Sequence, residues 1–427
     1  MSSNPTQARR NFLKTTAAGA AATTFAANRA MAEVGVRPAG SDKIKIGLIG
    51  CGGRGTGAAI DALSAGDDIE LVAIGDTFKD RADGALASIQ GSASVADRVK
   101  VAPDHVFTDF DNYKHVTDAA DVVLLATPPY FRPMHLAYAI EQGKHVFCEK
   151  PVAVDGPGIR SILETSKQAK EKGLSLVSGL CWRYHPAKQA TFEQVHGGAI
   201  GDIVAMQCNY NVGGLWHRGD NPDWSRMEYQ IRNWLYFTWL SGDFIAEQHI
   251  HSLDKMAWAM NDEPPVKVTG MGGRQTRTDA QYGDAYDHFS SCFEYANGVR
   301  VFSYCRQQNG CSNEVNDYIM GSEGVVDVMA HRITVDGEKK WDYRGKGGNM
   351  YRLEHEALFD SIRKGAALNN GEYMAKSTLM AIMARDSAYT GKTITWDEAL
   401  NSERQLGPAT LAWGEAPEVK VAMPGLA

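Results

Sequence analysis

The sequence predicts an α/β protein: a doubly wound parallel sheet, then a second α+β domain built on a large, open, mostly antiparallel sheet. Three observations predict it. Short apolar runs alternate with helical patterns from Ile44 to about Ser166, as parallel strands with crossover helices do. A glycine-rich turn joins the first of those runs to the first helix. Beyond Ser178 the runs lengthen and alternate with period two, at Ile203 to Val212, Val266 to Gly272, Tyr286 to Ala296, Val299 to Gln307 and Asn316 to Met329, which marks half-buried strands. A chain of 427 residues with 44% hydrophobic content has enough apolar mass for more than one core. The expected divisions are a leader at 1–32, a first domain at 43–166, a second at 167–400 and a tail at 401–427.

The first element is an address label. Ala8-Arg9-Arg10-Asn11-Phe12-Leu13-Lys14, an Ala/Thr-rich stretch to Ala27, and Ala30-Met31-Ala32 have the layout of a twin-arginine leader with a small-residue cleavage site. The mature chain is expected to start near Glu33 and to reach the periplasm already folded. The Ala-rich stretch is too short and mild for stable membrane insertion. Losing residues 1–32 removes four positive charges and takes the net charge from −7 to −11. Such a surface repels nucleic acid and anionic lipid.

The next element is Lys45 to Ile49 running into Gly50-Cys51-Gly52-Gly53-Arg54-Gly55 and a helical pattern from Ala58 to Ala65. This is G-x-G-x-x-G in strand-turn-helix context. Gly50 allows the tight turn, Gly52 lets a pyrophosphate approach the backbone, Gly55 lets the helix pack close, and the helix N-terminus supplies amide donors. Gly53 and Arg54 complete the loop. A second apolar run, Ile69 to Gly75, ends in Asp76, about 20 residues beyond the fingerprint. A carboxylate there accepts ribose hydroxyls and repels a 2′-phosphate, so NAD is favoured over NADP.

Asp121 to Pro129 reads as a buried strand whose end, Thr127-Pro128, faces the ligand edge of the sheet. A helix from Met134 to Gln142 follows, with His135 on its first turn, fitting either a site role or a capping or packing one. Then Lys144 to Pro151 delivers Glu149 and Lys150 at a strand end, about a hundred residues after the glycine loop. A reactive amine there would meet a bound nicotinamide.

In the second domain Asn297-Gly298 joins two strand patterns as a two-residue hairpin. That turn sets Cys292 opposite Ser303 and leaves Cys305 diagonal, too distant for easy bridging. The mature chain keeps all seven cysteines, without metal-type spacing. Helical patterns at Tyr351 to Lys364 and Glu372 to Tyr389 close the domain.

Taken together, Gly50 to Gly55, Ala126-Thr127-Pro128-Pro129, Gly143-Lys144-His145-Val146 and Glu149-Lys150-Pro151 resemble the successive signatures of the glucose-fructose oxidoreductase and inositol dehydrogenase family (Gfo/Idh/MocA). The resemblance covers roughly residues 43 to 392. It implies a Rossmann domain, an open-sheet domain that forms homodimer or homotetramer contacts, and NAD(P)-dependent redox chemistry on a sugar, polyol or related carbonyl. It also implies a second signature, met by Ser241 to Asp254, in which His251 takes the catalytic histidine position and Glu247 the carboxylate position. Glutamate replaces the commoner aspartate, and His249 stands where many members have glycine. On one continuous helix Glu247, His251 and either Asp254 or Lys255 would share a face. His249 and His251 would point about 160° apart, and no third ligand is evident, so no metal is expected. Arg183, in Cys181 to Pro186, matches a family segment near the cofactor.

The chemistry required is removal of a hydroxyl proton as hydride leaves the same carbon, by Lys150 or His251. An oxidised nicotinamide beside a lysine favours the neutral amine that can act as base. Between Leu215 and Trp239 lie Trp216, Trp224, Trp234 and Trp239, mixed with Arg218, Asp220, Arg232 and Asn233. Aromatic faces with polar partners suit pyranose rings, so Trp234 and Arg232 join Lys150, Glu247 and His251 as candidate substrate contacts, with at least two of the four tryptophans expected only to pack. The expected function is an exported oxidoreductase of sugars or glycosides whose NAD stays bound through turnover. Two alternatives are an NAD-dependent glycosidase acting by transient C3 oxidation and elimination, and a non-catalytic sugar or nucleotide sensor.

Overall fold

The computed structural model describes residues 43–426, and the expected twin-arginine leader lies outside them. Six strands form the first sheet: β1 (Ile44–Ile49), β2 (Ile69–Asp76), β3 (Val106–Thr108), β4 (Val122–Leu125), β5 (His145–Cys148) and β6 (Leu176–Ser178). Their order is β3-β2-β1-β4-β5-β6 and every pairing is parallel. Strands such as Val122–Leu125 are apolar at every position and wholly buried, as strands covered by helices on both faces must be. The order in which successive strands are added reverses between β1 and β4, which opens a crevice at their carboxyl ends. The sheet continues past the boundary expected at residue 166. Helix Gly156–Glu171 is the crossover that delivers β6, and a three-residue strand carries too little periodicity to be seen in sequence.

Nine strands form the second sheet: β7 (Ile203–Val212), β8 (Lys267–Gly273), β9 (His288–Glu294), β10 (Arg300–Gln307), β11 (Glu314–Gly321), β12 (Val325–Asp327), β13 (Arg332–Val335), β14 (Glu338–Asp342) and β15 (Ile394–Thr395). The order is β14-β13-β12-β11-β7-β10-β9-β8-β15, antiparallel except where β10 pairs with β7. Helix Gly371–Thr390, buried along most of its length, covers one face, with Ala384 against Gly270. The other face exposes Val204, Met271, Phe302 and Tyr304.

The β9–β10 hairpin differs from the two-residue turn. Tyr295 donates to the Val299 carbonyl at 2.9 Å, Gly298 takes φ +88, and Cys292 sits opposite Phe302. The loop is therefore Ala296-Asn297-Gly298, a three-residue turn with glycine in the left-handed position. That shifts the register by one and places Cys305 opposite Phe289. All seven cysteines are free thiols and five are buried.

The tail beyond Leu400 is a strap across both domains. Leu406 donates to Asp155 Oδ2 at 2.8 Å, the Pro408 carbonyl accepts from Tyr130, and the Pro417 carbonyl accepts from Gln230. Trp413 packs its ring on Phe78 and Phe110, with centroids 5.8 and 4.7 Å away.

Candidate active site

A cleft of about 330 Å³ follows the carboxyl ends of β1, β2 and β4. Gly50, Gly52, Gly53, Arg54, Gly55, Asp76, Thr127, Pro128 and His135 all line it, and Glu247 closes one end. The glycine loop explains its shape. Gly50 sits at φ +95, and a Cβ there would lie 2.5 Å from the Thr127 amide nitrogen. A Cβ on Gly55 would lie 1.9 Å from the Gly50 carbonyl oxygen. Gly52 and Gly53, by contrast, face open space, with nothing within 4 Å of a built Cβ. Helix Gly53–Ser64 therefore presents its first amides to an open cradle, the arrangement that accepts a pyrophosphate.

Asp76, at the end of β2, accepts the Cys51 amide at 2.7 Å through Oδ2 and the Phe78 amide at 3.0 Å through Oδ1. Burial raises its pKa, and the two amides and Arg81 oppose the shift. Each carboxylate oxygen keeps a lone pair for a ribose hydroxyl. His135 is buried, stacked on Tyr113 at 4.3 Å, with Nδ1 3.4 Å from the Thr127 hydroxyl. Burial, with Arg132 beside it, lowers its pKa to about 3. It is a neutral ring that shapes the cleft wall.

At the other end Lys150 Nζ reaches across the domain boundary to Glu247, donating to its main-chain carbonyl and, at 3.1 Å, to Oε1. Both side chains remain partly exposed. His251 does not follow Glu247 on one helix. Helix Phe244–Glu247 stops, Gln248 and His249 break the run, and helix Ile250–Ala259 restarts. Buried His249 accounts for the break: its Nε2 meets the Ser303 hydroxyl at 2.7 Å on β10, and burial lowers its pKa to about 3. The sheet contact thus overrides the helical face expected from spacing. His251 keeps Nδ1 buried without a hydrogen-bond partner among the described residues. Burial first, then the charges of Lys150, Lys255 and Arg54, hold its pKa well below the usual histidine range. Among the described residues no group of three His, Cys, Asp or Glu side chains is placed to hold a metal ion.

Arg183 lies away from the cleft lining. It forms a fork to Asp254 at 2.8–3.1 Å, bonds Asp262, and stacks over Tyr373 at 4.0 Å. Its donors are consumed by structure, and Asp254 is consumed with it. Arg232 lines the cleft at the Asp76 end, bonded to Asp80 at 3.0 Å and Glu228 at 2.8 Å and stacked over Phe78 at 3.9 Å. Trp216 and Trp234 line the same cleft. Trp239 is buried, its indole N–H given to Gln230 at 2.6 Å, and Trp224 stacks with Arg232. Two of the four tryptophans thus pack, as expected.

Residues 44–179 match the oxidoreductase family with an NAD-binding Rossmann fold, GFO/IDH/MocA, and residues 189–327 match the GFO/IDH/MocA C-terminal domain. The chain belongs to the Gfo/Idh/MocA family. It is 24% identical to inositol 2-dehydrogenase of Rhizobium meliloti (strain 1021), over 76% of this chain and 90% of that protein. It is 27% identical to 2,7-anhydro-N-acetylneuraminate hydratase of Escherichia coli (strain K12), over 42% of this chain and 43% of that protein. The chain therefore spans less than half the length of the hydratase it matches. Its fold is shared with aldose-aldose oxidoreductase from Caulobacter crescentus, at TM-score 0.64 and 17% identity, covering 83% of this chain and 99% of the other.

Within this Gfo/Idh/MocA chain, several contributors carry no sequence signal that the motifs above capture. Phe78, Arg81 and Phe110 line the Asp76 end, and Glu354 reaches the glycine loop from the far end of the chain, accepting from Arg54 at 3.0 Å. Phe78 and Arg81 lie just beyond the strand end at Asp76, so their signal is local. Glu354 carried no local signal, because its partner lies 300 residues away.

Proposed function

We propose that this protein transfers hydride between a carbinol carbon of a sugar or glycoside and a resident nicotinamide dinucleotide, NAD rather than NADP. The pairing of Lys150 with Glu247 carries the proposal. It ties a proton-handling amine to the carboxylate that lines one end of a cleft whose other end holds an open glycine cradle and Asp76. Those residues fit the dinucleotide: open space at Gly52 and Gly53 for the pyrophosphate, and a half-buried carboxylate at Asp76 for the ribose. Bound there, NAD would supply the hydride acceptor.

The protein's own groups handle the proton. Nζ of Lys150 can pass a proton to Glu247 Oε1, 3.1 Å away, and the neutral amine then takes the substrate hydroxyl proton as the carbon loses hydride. His251, kept neutral, has a ring nitrogen without a protein partner among the described residues and would not compete for the proton.

Retention of the cofactor is supported at the Asp76 end, where the Arg232–Asp80 bridge and Trp413 on Phe78 and Phe110 close over the cleft wall. Bound tightly, the cofactor must be regenerated by a second substrate or by the product. Export with the cofactor in place is part of the proposal, supported by the Arg9-Arg10 leader pattern. Association into a homodimer or homotetramer is supported by the apolar exposed face of the second sheet. No helix among the described residues is long and apolar enough to cross a membrane.

A second reading, transient oxidation followed by elimination and return of the hydride, draws support from the relative named as a hydratase. Net redox change separates the two, since none accumulates in the second. The test is to denature the purified protein and identify any released nucleotide and its redox state by mass spectrometry. Stoichiometric NAD or NADH is expected; NADP would overturn the assignment from Asp76, and an empty protein would overturn cofactor retention.

A further inference from the structure

Arg54 is the fifth residue of the glycine loop, and its guanidinium, still about a third exposed, sits in acidic company. Nε donates to Glu149, Nη2 to Glu354 at 3.0 Å and Nη1 to Asp61 at 3.5 Å, while the Tyr351 ring lies 4.6 Å from its carbon. Glu149 immediately precedes Lys150, and its second oxygen accepts the Lys150 amide at 3.2 Å. One hydrogen-bonded chain therefore runs from the phosphate-binding turn to the strand end that carries the amine.

Glu354 is the unexpected member. It sits on helix Met350–Arg363, which packs its buried face on helix Gly53–Ser64 of the first domain. Its side chain is fully buried and Oε2 has no hydrogen-bond partner among the described residues. Burial and the neighbouring Glu149 raise its pKa well above the usual carboxylate range. A packing role alone would be served by leucine. A buried acid with one oxygen committed to an arginine and the other unpaired is costly unless that arginine must be held.

We propose that Glu354 is a positioning residue: with Glu149 it clamps the Arg54 guanidinium, and so fixes the glycine loop relative to the strand end that presents Lys150. The clamp needs a planar fork that meets two carboxyl groups at once, which arginine provides and lysine does not. It ties together two parts of the first domain through a residue on helix Met350–Arg363, beyond the second sheet's main strands in the chain. The proposal rests on the reading of Lys150 as the proton-handling amine.

The test compares Glu354→Leu, which keeps volume and loses the acceptor, with Glu354→Gln, which keeps the oxygen that Arg54 needs. In each purified mature protein the acetylation rate of Lys150 by an N-hydroxysuccinimide ester is followed by peptide mass spectrometry, beside the thermal unfolding midpoint and nucleotide content. The expected result is a change of about fivefold or more for Glu354→Leu, with Glu354→Gln close to the parent. Equal rates in parent and Glu354→Leu would overturn the clamp. Should Glu354→Leu fail to fold, Arg54→Lys takes its place with the same two outcomes. Absence of nucleotide from every variant, the parent included, would count against the dinucleotide reading alone, and the labelling rates would still decide the clamp.

Discussion

Two glycines of the loop, Gly52 and Gly55, should differ in how far alanine destabilises the fold, and the structure fixes the size of the difference. A Cβ on Gly55 meets the Gly50 carbonyl oxygen at 1.9 Å and the Ala126 Cβ at 3.2 Å. Both neighbours belong to the turn and strand ends that build the site, so neither can swing aside as a flexible side chain would. The start of helix Gly53–Ser64 has to retreat by about 1 Å, and a shift of that size at a binding site costs on the order of 100-fold. Overpacking adds a stability loss of about 1–3 kcal/mol. Gly52→Ala meets nothing within 4 Å, so its unfolding midpoint without nucleotide should match the parent. Its methyl group still occupies the space assigned to the pyrophosphate, so nucleotide content should fall there too. The assay pairs thermal unfolding with mass-spectrometric nucleotide content for both variants. Full nucleotide content in Gly52→Ala would refute the assignment of that space, and an unaltered midpoint in Gly55→Ala would refute the packing argument.

Replacing Lys150 by methionine should lower kcat by about 10²–10⁴-fold while leaving nucleotide content unchanged; turnover at the parent rate would remove Lys150 from the chemistry. Trp413→Ala should speed nucleotide loss on extended dialysis by about fivefold, since an aromatic contact contributes about 0.5–1.5 kcal/mol; an unchanged loss rate would show that the strap does not retain the cofactor. Acid should destabilise the fold through His135 and His249, both lowered to about 3 by burial. Their folded forms stay neutral while the unfolded chain binds protons below about pH 6.5. Stability is therefore full above that pH and declines as pH falls toward 3, by about 1.4 kcal/mol per pH unit for each ring. Urea unfolding of the parent and His249→Gln between pH 7 and 4 checks this, with the variant expected to show the shallower decline; identical slopes would contradict it.

How much of this was legible in sequence depends on how local each cause is. The glycine loop, Asp76 and the strand ending at Lys150 are each fixed by a few consecutive residues in strand-turn-helix context; the structure places the first two along one cleft and joins Lys150 to it through Glu247. The β7 bounds, Ile203–Val212, coincide with the alternating run that predicts them. The failures come from long-range partners. The helix expected through Glu247 and His251 breaks because His249 is drawn to Ser303 on a distant strand. Arg183 satisfies the family pattern by spacing, but Asp254 and Asp262 claim its guanidinium. Arg232, read as a substrate contact, does line the cleft, but its partner Asp80 places it at the Asp76 end, which spacing did not show. Glu354 and Trp413 carry no motif, and their meaning appears only when the chain end is folded back on the first domain.

The central claim is that the cleft brings a carbinol carbon to a resident nicotinamide under the control of Lys150. The most direct measurement is transfer of deuterium from ring-deuterated sugars and glycosides to the bound nucleotide in a single turnover, read by mass spectrometry after denaturation. The account predicts deuterium in the nucleotide released by the parent protein and little in Lys150→Met. A nucleotide that stays bound and unlabelled across the whole panel, in a protein that demonstrably binds those sugars, would contradict it.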